Sequence, residues 1–254
     1  MIQCPVCGHI LSKEEVQIKI CSECEHKHHT NEVYQENSKL MQEIKELDSA
    51  NTTLTRALFH NNEQLVNAFI SQVDAQDRYT GQHSRRVAML SVQIGKLLNF
   101  KHNVLLQLEK SAHLHDIGKA YVNEAILNKS GKLTDEEMNV MKKHPLKGVD
   151  LIKHIDLFSY AVDVIHYHHE RWDGKGYPDG LKEMEIPYWA RIVAIADATD
   201  AMMIERPYRQ ALHRDKIIHE LKNNAGIQFD PLIIAEIFKS DKDEVFFKIT
   251  ERGE

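Results

Sequence analysis

A mainly α-helical protein in three parts is predicted, and three observations predict it. Apolar residues recur at helical spacing from about residue 82 onward. A heptad pattern runs from 33 to 68 without proline or glycine, and two Cys-x-x-Cys pairs precede it. The 254 residues, 28% charged and 42% hydrophobic, suit one substantial core with a smaller attachment. The expected boundaries are 1–31 for a cysteine module, 32–72 for a coiled-coil helix and 73–254 for the helical domain. No apolar run approaches the ~18 residues of a membrane span. The opening MIQCPVCGH lacks the basic start and apolar centre of a signal peptide, so a cytoplasmic protein with no membrane association is expected. A net charge of −6 gives no general attraction for nucleic acid, so an anionic substrate would need a local patch of Lys and Arg.

The cysteines fall as Cys4-Pro-Val-Cys7 and Cys21-Ser-Glu-Cys24, spaced like the pairs of small zinc ribbons. Each pair sets two thiolates on one side of a tetrahedral Zn²⁺, and the metal would supply folding energy that so short a segment lacks. A redox motif would need a strand before Cys4, and a reducing compartment disfavours disulfides. Structural zinc held by Cys4, Cys7, Cys21 and Cys24 is therefore expected, with His9, His26, His28 and His29 as unnecessary substitutes. A protein partner for this module is a further expectation.

In the second part, Val33, Asn37, Leu40, Ile44, Leu47, Asn51, Leu54, Leu58, Asn61, Leu65 and Ala68 alternate at steps of four and three. As a helix the stretch would span about 54 Å. Asn51 falls at an a position, where a buried amide favours a parallel two-stranded pair. A homodimer through 33–68 is expected; the alternative is one long helix docking its stripe on its own domain.

The third part carries sixteen-histidine bias inward: nine of the chain's sixteen histidines lie between His83 and His169. Val87, Leu90, Ile94 and Leu97 form a stripe that His83 extends. Leu105, Leu108 and Ala112 lead to His115 and Asp116. Thr134-Asp-Glu-Glu137 reads as a capping box opening a helix that ends near His144-Pro145. Val162 and Ile165 lead to His168 and His169, and Asp197 and Asp200 share a face with Val193 and Ile204. Buried charge is costly unless paired or bound to metal. Seven polar groups on core faces, His83, His115, Asp116, His144, His168, His169 and Asp197, point to a metal centre. His113, His154 and His166 receive no such role. HYHHERWDGKGYPDGL, residues 166 to 181, adds a glycine-rich loop directly after the last histidines.

In order, the motifs are His83-Ser-Arg-Arg-Val, His115-Asp-Ile-Gly-Lys119, His144-Pro-Leu-Lys-Gly148, His168-His-Glu170, Asp173-Gly-Lys-Gly-Tyr-Pro178, Ile-Ala-Asp197-Ala-Thr-Asp200 and Arg206-Pro-Tyr-Arg209. Together they resemble the HD-GYP branch of the HD-domain phosphohydrolases, from about Tyr79 to Pro231. The resemblance implies an all-helical HD-domain bundle around two or three ions. His83, His115, Asp116 and Asp197 would serve one ion. Asp116 would bridge to a second held by His144, His168 and His169. Three-metal members carry a glutamate where this chain has Tyr79, so two divalent ions are expected, iron or manganese by resemblance.

The resemblance also implies hydrolysis of cyclic di-GMP to pGpG and, in some members, GMP. Two ions about 3.5–4 Å apart would activate a hydroxide for attack on the phosphodiester. Lys119, Gly176, Tyr177, Arg206 and Arg209 would contact substrate, although the two arginines alone read as a solvated pair and the glycines as a plain turn. Glu170 is expected to orient a ligand histidine. Asp116 and Lys119 would take part in the chemistry, and Asp200 would orient water or accept a proton, with a purely structural place on its helix as the alternative. The competing functions are a catalytically silent binder of cyclic di-GMP that signals through the cysteine module and coiled coil, and a di-iron oxygenase. Another cyclic dinucleotide remains open, since no base-reading residue is evident.

Overall fold

The computed structural model describes residues 3–5, 8–11, 22–76, 82–205, 210–239 and 246–247; at 23, 25–34, 69–70 and 72–76 it describes backbone alone. Cys7, Cys21, Tyr79, Arg206 and Arg209 lie outside the described residues. The helices are α1 Ser22–Gln76, α2 His83–Leu97, α3 His102–Leu114, α4 Glu124–Leu127, α5 Asp135–Met141, α6 His144–Ile152, α7 Val162–Tyr167, α8 Tyr188–Met203, α9 Arg214–Asn223 and α10 Pro231–Ile237. Short 3-10 turns at Ile117–Tyr121, Asp156–Ala161 and Glu183–Glu185 link them. Among the described residues β-structure is limited to two isolated bridges, so the expected all-helical class holds. None of the described helices is long and apolar enough to cross a membrane.

The chain divides into two compact units, Met1–Glu63 and Gln64–Glu254. In the first, the chain doubles back around Cys4, whose N–H donates to His9 O at 2.7 Å while Gly8 N–H donates to Cys4 O at 2.9 Å. Gly8 adopts φ +75°, which suits the tight return. Cys4 is buried with Leu11, and Cys24 packs against them. Cys4 and Cys24 are not joined by a disulfide. The long helix starts at Ser22, inside the span assigned by sequence to the cysteine module, because SECEHKHHTNEV contains no glycine or proline to stop it. Leu40, Ile44, Leu47, Leu54 and Leu58 of the heptad seam are all exposed on the single chain.

In the second unit α2 packs on both α3 and α8, and α6 packs on the Ile117–Tyr121 turn and on α7. Val87, Leu90, Ile94, Leu108, Ala112, Val164, Ile192 and Ile195 form the main core. A second cluster joins Leu114, Ile117, Ile152, Phe158 and Ile165 with Val66, near the end of α1. Each such aliphatic side chain, fully buried, contributes about 1.5–3 kcal/mol of transfer free energy. The capping box at Thr134 and Glu137 opens α5 as expected. The helix stops at Met141, however, and His144 begins α6 instead of closing α5. Pro145 is the reason: it lacks the N–H that a helix interior requires, yet suits a first turn whose N–H groups are unpaired anyway. α7 likewise ends at Tyr167, with His168 as its cap residue.

Candidate metal centre

Helix termini deliver most of the inward polar groups. His83 opens α2, His115 and Asp116 follow α3, His144 opens α6, His168 and His169 follow α7, and Asp197 lies within α8. His83, His115, Asp116, His144 and His168 are buried. One ligand atom from each of Asp116, His144, His168 and His169 lies within 4.8 Å of the others, and the same holds for His83, His115 and Asp197. All seven residues singled out by sequence are thus brought into two adjoining groups.

Asp116 stands between them. Its Oδ2 lies 3.6 Å from His83 Nε2 and 3.2 Å from His115 Nε2, while its Oδ1 lies 3.2 Å from His144 Nε2 and 3.7 Å from His168 Nε2. His83 Nε2 is also 3.4 Å from Asp197 Oδ1. One carboxylate oxygen therefore faces each group. His115 Nε2 and Asp116 Oδ1 are buried and make no aligned hydrogen bond, despite their 3.2 Å neighbours. Buried polar atoms left in this way are costly in an apolar core and are what ligand atoms awaiting cations look like. A His/Asp cluster of this kind is compatible with two metal ions.

On the His144 side the protonation pattern agrees with that chemistry, whereas at His83 burial lowers the imidazole but Asp116, Asp200 and Asp197 outweigh it and raise the ring to about 9. Burial pushes the His168 imidazole down to about 4 and holds His169 well below its ordinary value, helped by neighbouring histidines. Both rings are therefore neutral with a lone pair to offer. Burial works against charge on Asp116, but His115, Lys119 and His144 outweigh it and keep the carboxyl well below the usual range. Ring orientation is fixed from behind. His115 Nδ1 pairs with Ala112 O at 2.7 Å, His144 Nδ1 with Met141 O at 2.9 Å, and His168 Nδ1 with Val164 O and Ile165 O at 3.0 Å. Donation there leaves Nε2 facing inward.

Lys119 Nζ donates to Asp116 Oδ2 at 2.5 Å. The Tyr177 ring stacks on His169, with centroids 4.7 Å apart, and Lys142 Nζ lies 5.6 Å from the same ring. Burial, with Asp116 and Asp197 nearby, pushes the Tyr177 phenol up, so it stays a donor. Gly176 is needed where it is: a Cβ there would lie 2.4–2.6 Å from the backbone of His169–Arg171. The loop's glycines are thus more than a plain turn at this position, since Gly176 lets Tyr177 lie against the histidine.

Glu170 is placed differently from the sequence reading, and Asp200 lies where the structural alternative would put it. Glu170, expected behind a ligand histidine, instead accepts N–H donors from Asp179 and Gly180 at 2.7 and 2.9 Å and so holds the far end of the loop. The Asp200 Oδ2 accepts from His83 Nδ1 at 2.7 Å, and Arg86 donates to both of its oxygens. The sequence reading missed Gly118 and Gly148, which allow α6 to lie directly on the turn after Asp116. Their spacing behind His115-Asp116 and His144 was the available signal.

A family model for the HD domain matches residues 68–233. The chain belongs to the HD-domain family. The HD-GYP recognition made from the motifs is borne out at that level. Over 169 residues the chain is 36% identical to a "Cyclic di-GMP phosphodiesterase" of Thermotoga maritima, covering 66% of this chain and 46% of that protein. Over 186 residues it is 33% identical to a "3'3'-cGAMP-specific phosphodiesterase 2" of Vibrio cholerae, covering 72% and 36%. This HD-domain chain therefore spans less than half the length of either relative. The solved Vibrio cholerae structure described as a cyclic GMP-AMP-specific phosphodiesterase, V-cGAP3, shares the fold with TM-score 0.52 at 21% identity, over 74% of this chain and 49% of that one.

Proposed function

We propose that this chain is a metal-dependent phosphodiesterase that hydrolyses a cyclic dinucleotide, cyclic di-GMP, to pGpG and then in part to GMP. The observation that carries the reading is Asp116, with one oxygen toward each of two ligand groups and Lys119 at its edge. His83, His115, Asp116 and Asp197 would hold one ion, and Asp116, His144, His168 and His169 the other. Iron or manganese suits this mixed imidazole and carboxylate set. Two such ions, when bound, supply an activated hydroxide and Lewis-acid stabilisation of a phosphoryl group. Lys119, one turn from Asp116, is placed to meet a phosphate oxygen. Tyr177 offers a ring face for a guanine and a protonated hydroxyl. Arg206 and Arg209 would add charge to the same pocket by family resemblance.

Relatives named for cyclic di-GMP and for 3'3'-cGAMP both support the dinucleotide class. In this reading Cys4, Cys7, Cys21 and Cys24 hold a structural zinc, supported by the packing of Cys24 against buried Cys4. The exposed seam from Leu40 to Leu58 pairs with a second copy, and the cysteine module docks a protein partner in the cytoplasm.

The test is elemental analysis of anaerobically purified protein, followed by chromatography of products from cyclic di-GMP with Mn²⁺ or reduced iron. About two ions per chain and accumulation of pGpG are expected. Tight binding of cyclic di-GMP with no product under either metal would establish the silent binding module instead. Oxygen consumption in place of phosphodiester cleavage would establish an oxygenase.

A further inference from the structure

His83 differs from the other inward histidines that are oriented from behind. His115, His144 and His168 each pair Nδ1 with a main-chain carbonyl close to them in the chain. His83 opens α2 and takes its partner from across the bundle, the Asp200 carboxylate of α8, at 2.7 Å. A carbonyl is neutral and fixed by its helix. A carboxylate is neither: buried alone it would take up a proton, or turn toward any nearby cation. The Asp200 side chain is only 2% exposed, so the difficulty is real here.

Arg86 resolves it. One turn along α2 from His83, its Nε donates to Asp200 Oδ1 at 2.5 Å and its Nη2 to Oδ2 at 3.1 Å. The fork is bidentate, so it fixes the plane of the carboxylate as well as its charge. Both Asp200 oxygens are engaged in this clamp.

We infer that Arg86 is a positioning residue for the His83 side of the metal centre. By gripping Asp200 it holds the His83 ring with Nδ1 paired and Nε2 aimed at Asp116 and Asp197. It also holds both Asp200 oxygens, so that Asp200 does not become an additional metal ligand. Arg86 and Asp200 then act as one unit, and Asp200 is itself a positioning residue. The inference rests on the reading that the cluster holds two ions.

The test uses the full-length protein, stripped of metal and titrated with Mn²⁺ by calorimetry, with electron paramagnetic resonance at matched loading. Wild type should bind two ions and show a spin-coupled signal; failure of wild type to do so would remove the two-ion reading itself. Arg86→Met should retain helical circular dichroism and weaken one ion by about 10–100-fold, the range for lost outer contacts to a ligand histidine. The coupled signal should give way to that of isolated Mn²⁺. Asp200→Asn should weaken the same ion, and adding Arg86→Met to it should cost no further factor. Arg86→Lys, which keeps the charge but not the fork, should fall between wild type and Arg86→Met, and it provides the comparison if Arg86→Met does not fold. Wild-type Mn²⁺ affinities in the folded Arg86 variants would overturn the inference. So would equal weakening of both ions, or a full additional loss in the Asp200→Asn background.

Discussion

Gly118→Ala should damage the metal centre without replacing any of the clustered histidines or aspartates. A Cβ at Gly118 would lie 1.9 Å from His144 O, 2.5 Å from Gly148 N and 2.8 Å from His144 C. These are backbone atoms of the first two turns of α6, and no side chain can swing aside to make room. Ordinary contact begins at 3.4 Å, so the α6 backbone must retreat by about 1.5 Å, and a misplacement of only about 1 Å at an active site already costs about 100-fold in rate. Overpacking of this kind costs about 1–3 kcal/mol of stability. His144 Nε2, 3.2 Å from Asp116 Oδ1, rides on the part of α6 that must move. The expected result is a folded protein with a lower Tm whose Mn²⁺ titration loses the His144 side, read by calorimetry and thermal unfolding on the same preparation. A Gly118→Ala protein with wild-type Tm and two wild-type Mn²⁺ affinities would refute the reasoning, since it would mean that α6 does not depend on this close approach.

Three other outcomes are expected. Asp116→Ala removes the carboxylate that faces both groups and should abolish dinucleotide hydrolysis and the binding of at least one ion; retained turnover in a product assay would contradict its central place. Leu47→Lys with Leu54→Lys puts charge into the exposed heptad seam and should halve the mass seen by light scattering; an unchanged mass would remove the dimer. His113 is a pH probe: burial, then His115 and Arg85, push its imidazole down to about 4. The unfolded chain binds a proton near 6.5 that the folded one refuses, so this contribution to stability is present above about 6.5 and is lost as pH falls toward 4. His113→Leu should therefore flatten the fall of Tm between those pH values, and an equally steep fall in the variant would show that other groups cause it.

Most of the clustered residues were legible because they sit on an apolar stripe of their own segment. His83 continues the spacing of Val87 and Leu90, and His168 that of Ile165, so periodicity alone aims them inward. What periodicity does not encode is which segment faces which. The Arg86–Asp200 clamp joins residues 114 apart, and the Gly118 contact joins a turn to the start of another helix. The sequence reading placed Arg86 inside a motif and gave it no task. It left Asp200 between a chemical task and a structural place on its helix, because an aspartate on a core face, seen without its partner, fits either. Glu170 was misplaced for a similar reason: its neighbours in sequence are histidines, but its hydrogen bonds go forward to Asp179 and Gly180.

The two sides of the centre are chemically unlike and are supported by different means. With Asp116 counted on both, the His83 side offers two imidazoles and two carboxylates, whereas the His144 side offers three imidazoles and one carboxylate. The carboxylate-rich side suits harder cations, and the imidazole-rich side suits softer ones. The first side depends on a charged clamp reaching across from α2 to α8, which removal of either charge loosens. The second depends on steric contact between α6 and the turn after Asp116, which responds to volume and hardly to charge. Substitutions at Arg86 and at Gly118 should therefore weaken opposite ions. A single flexible basin of histidines and aspartates would not behave in this way, because any loosening would then reach both ions through the shared Asp116.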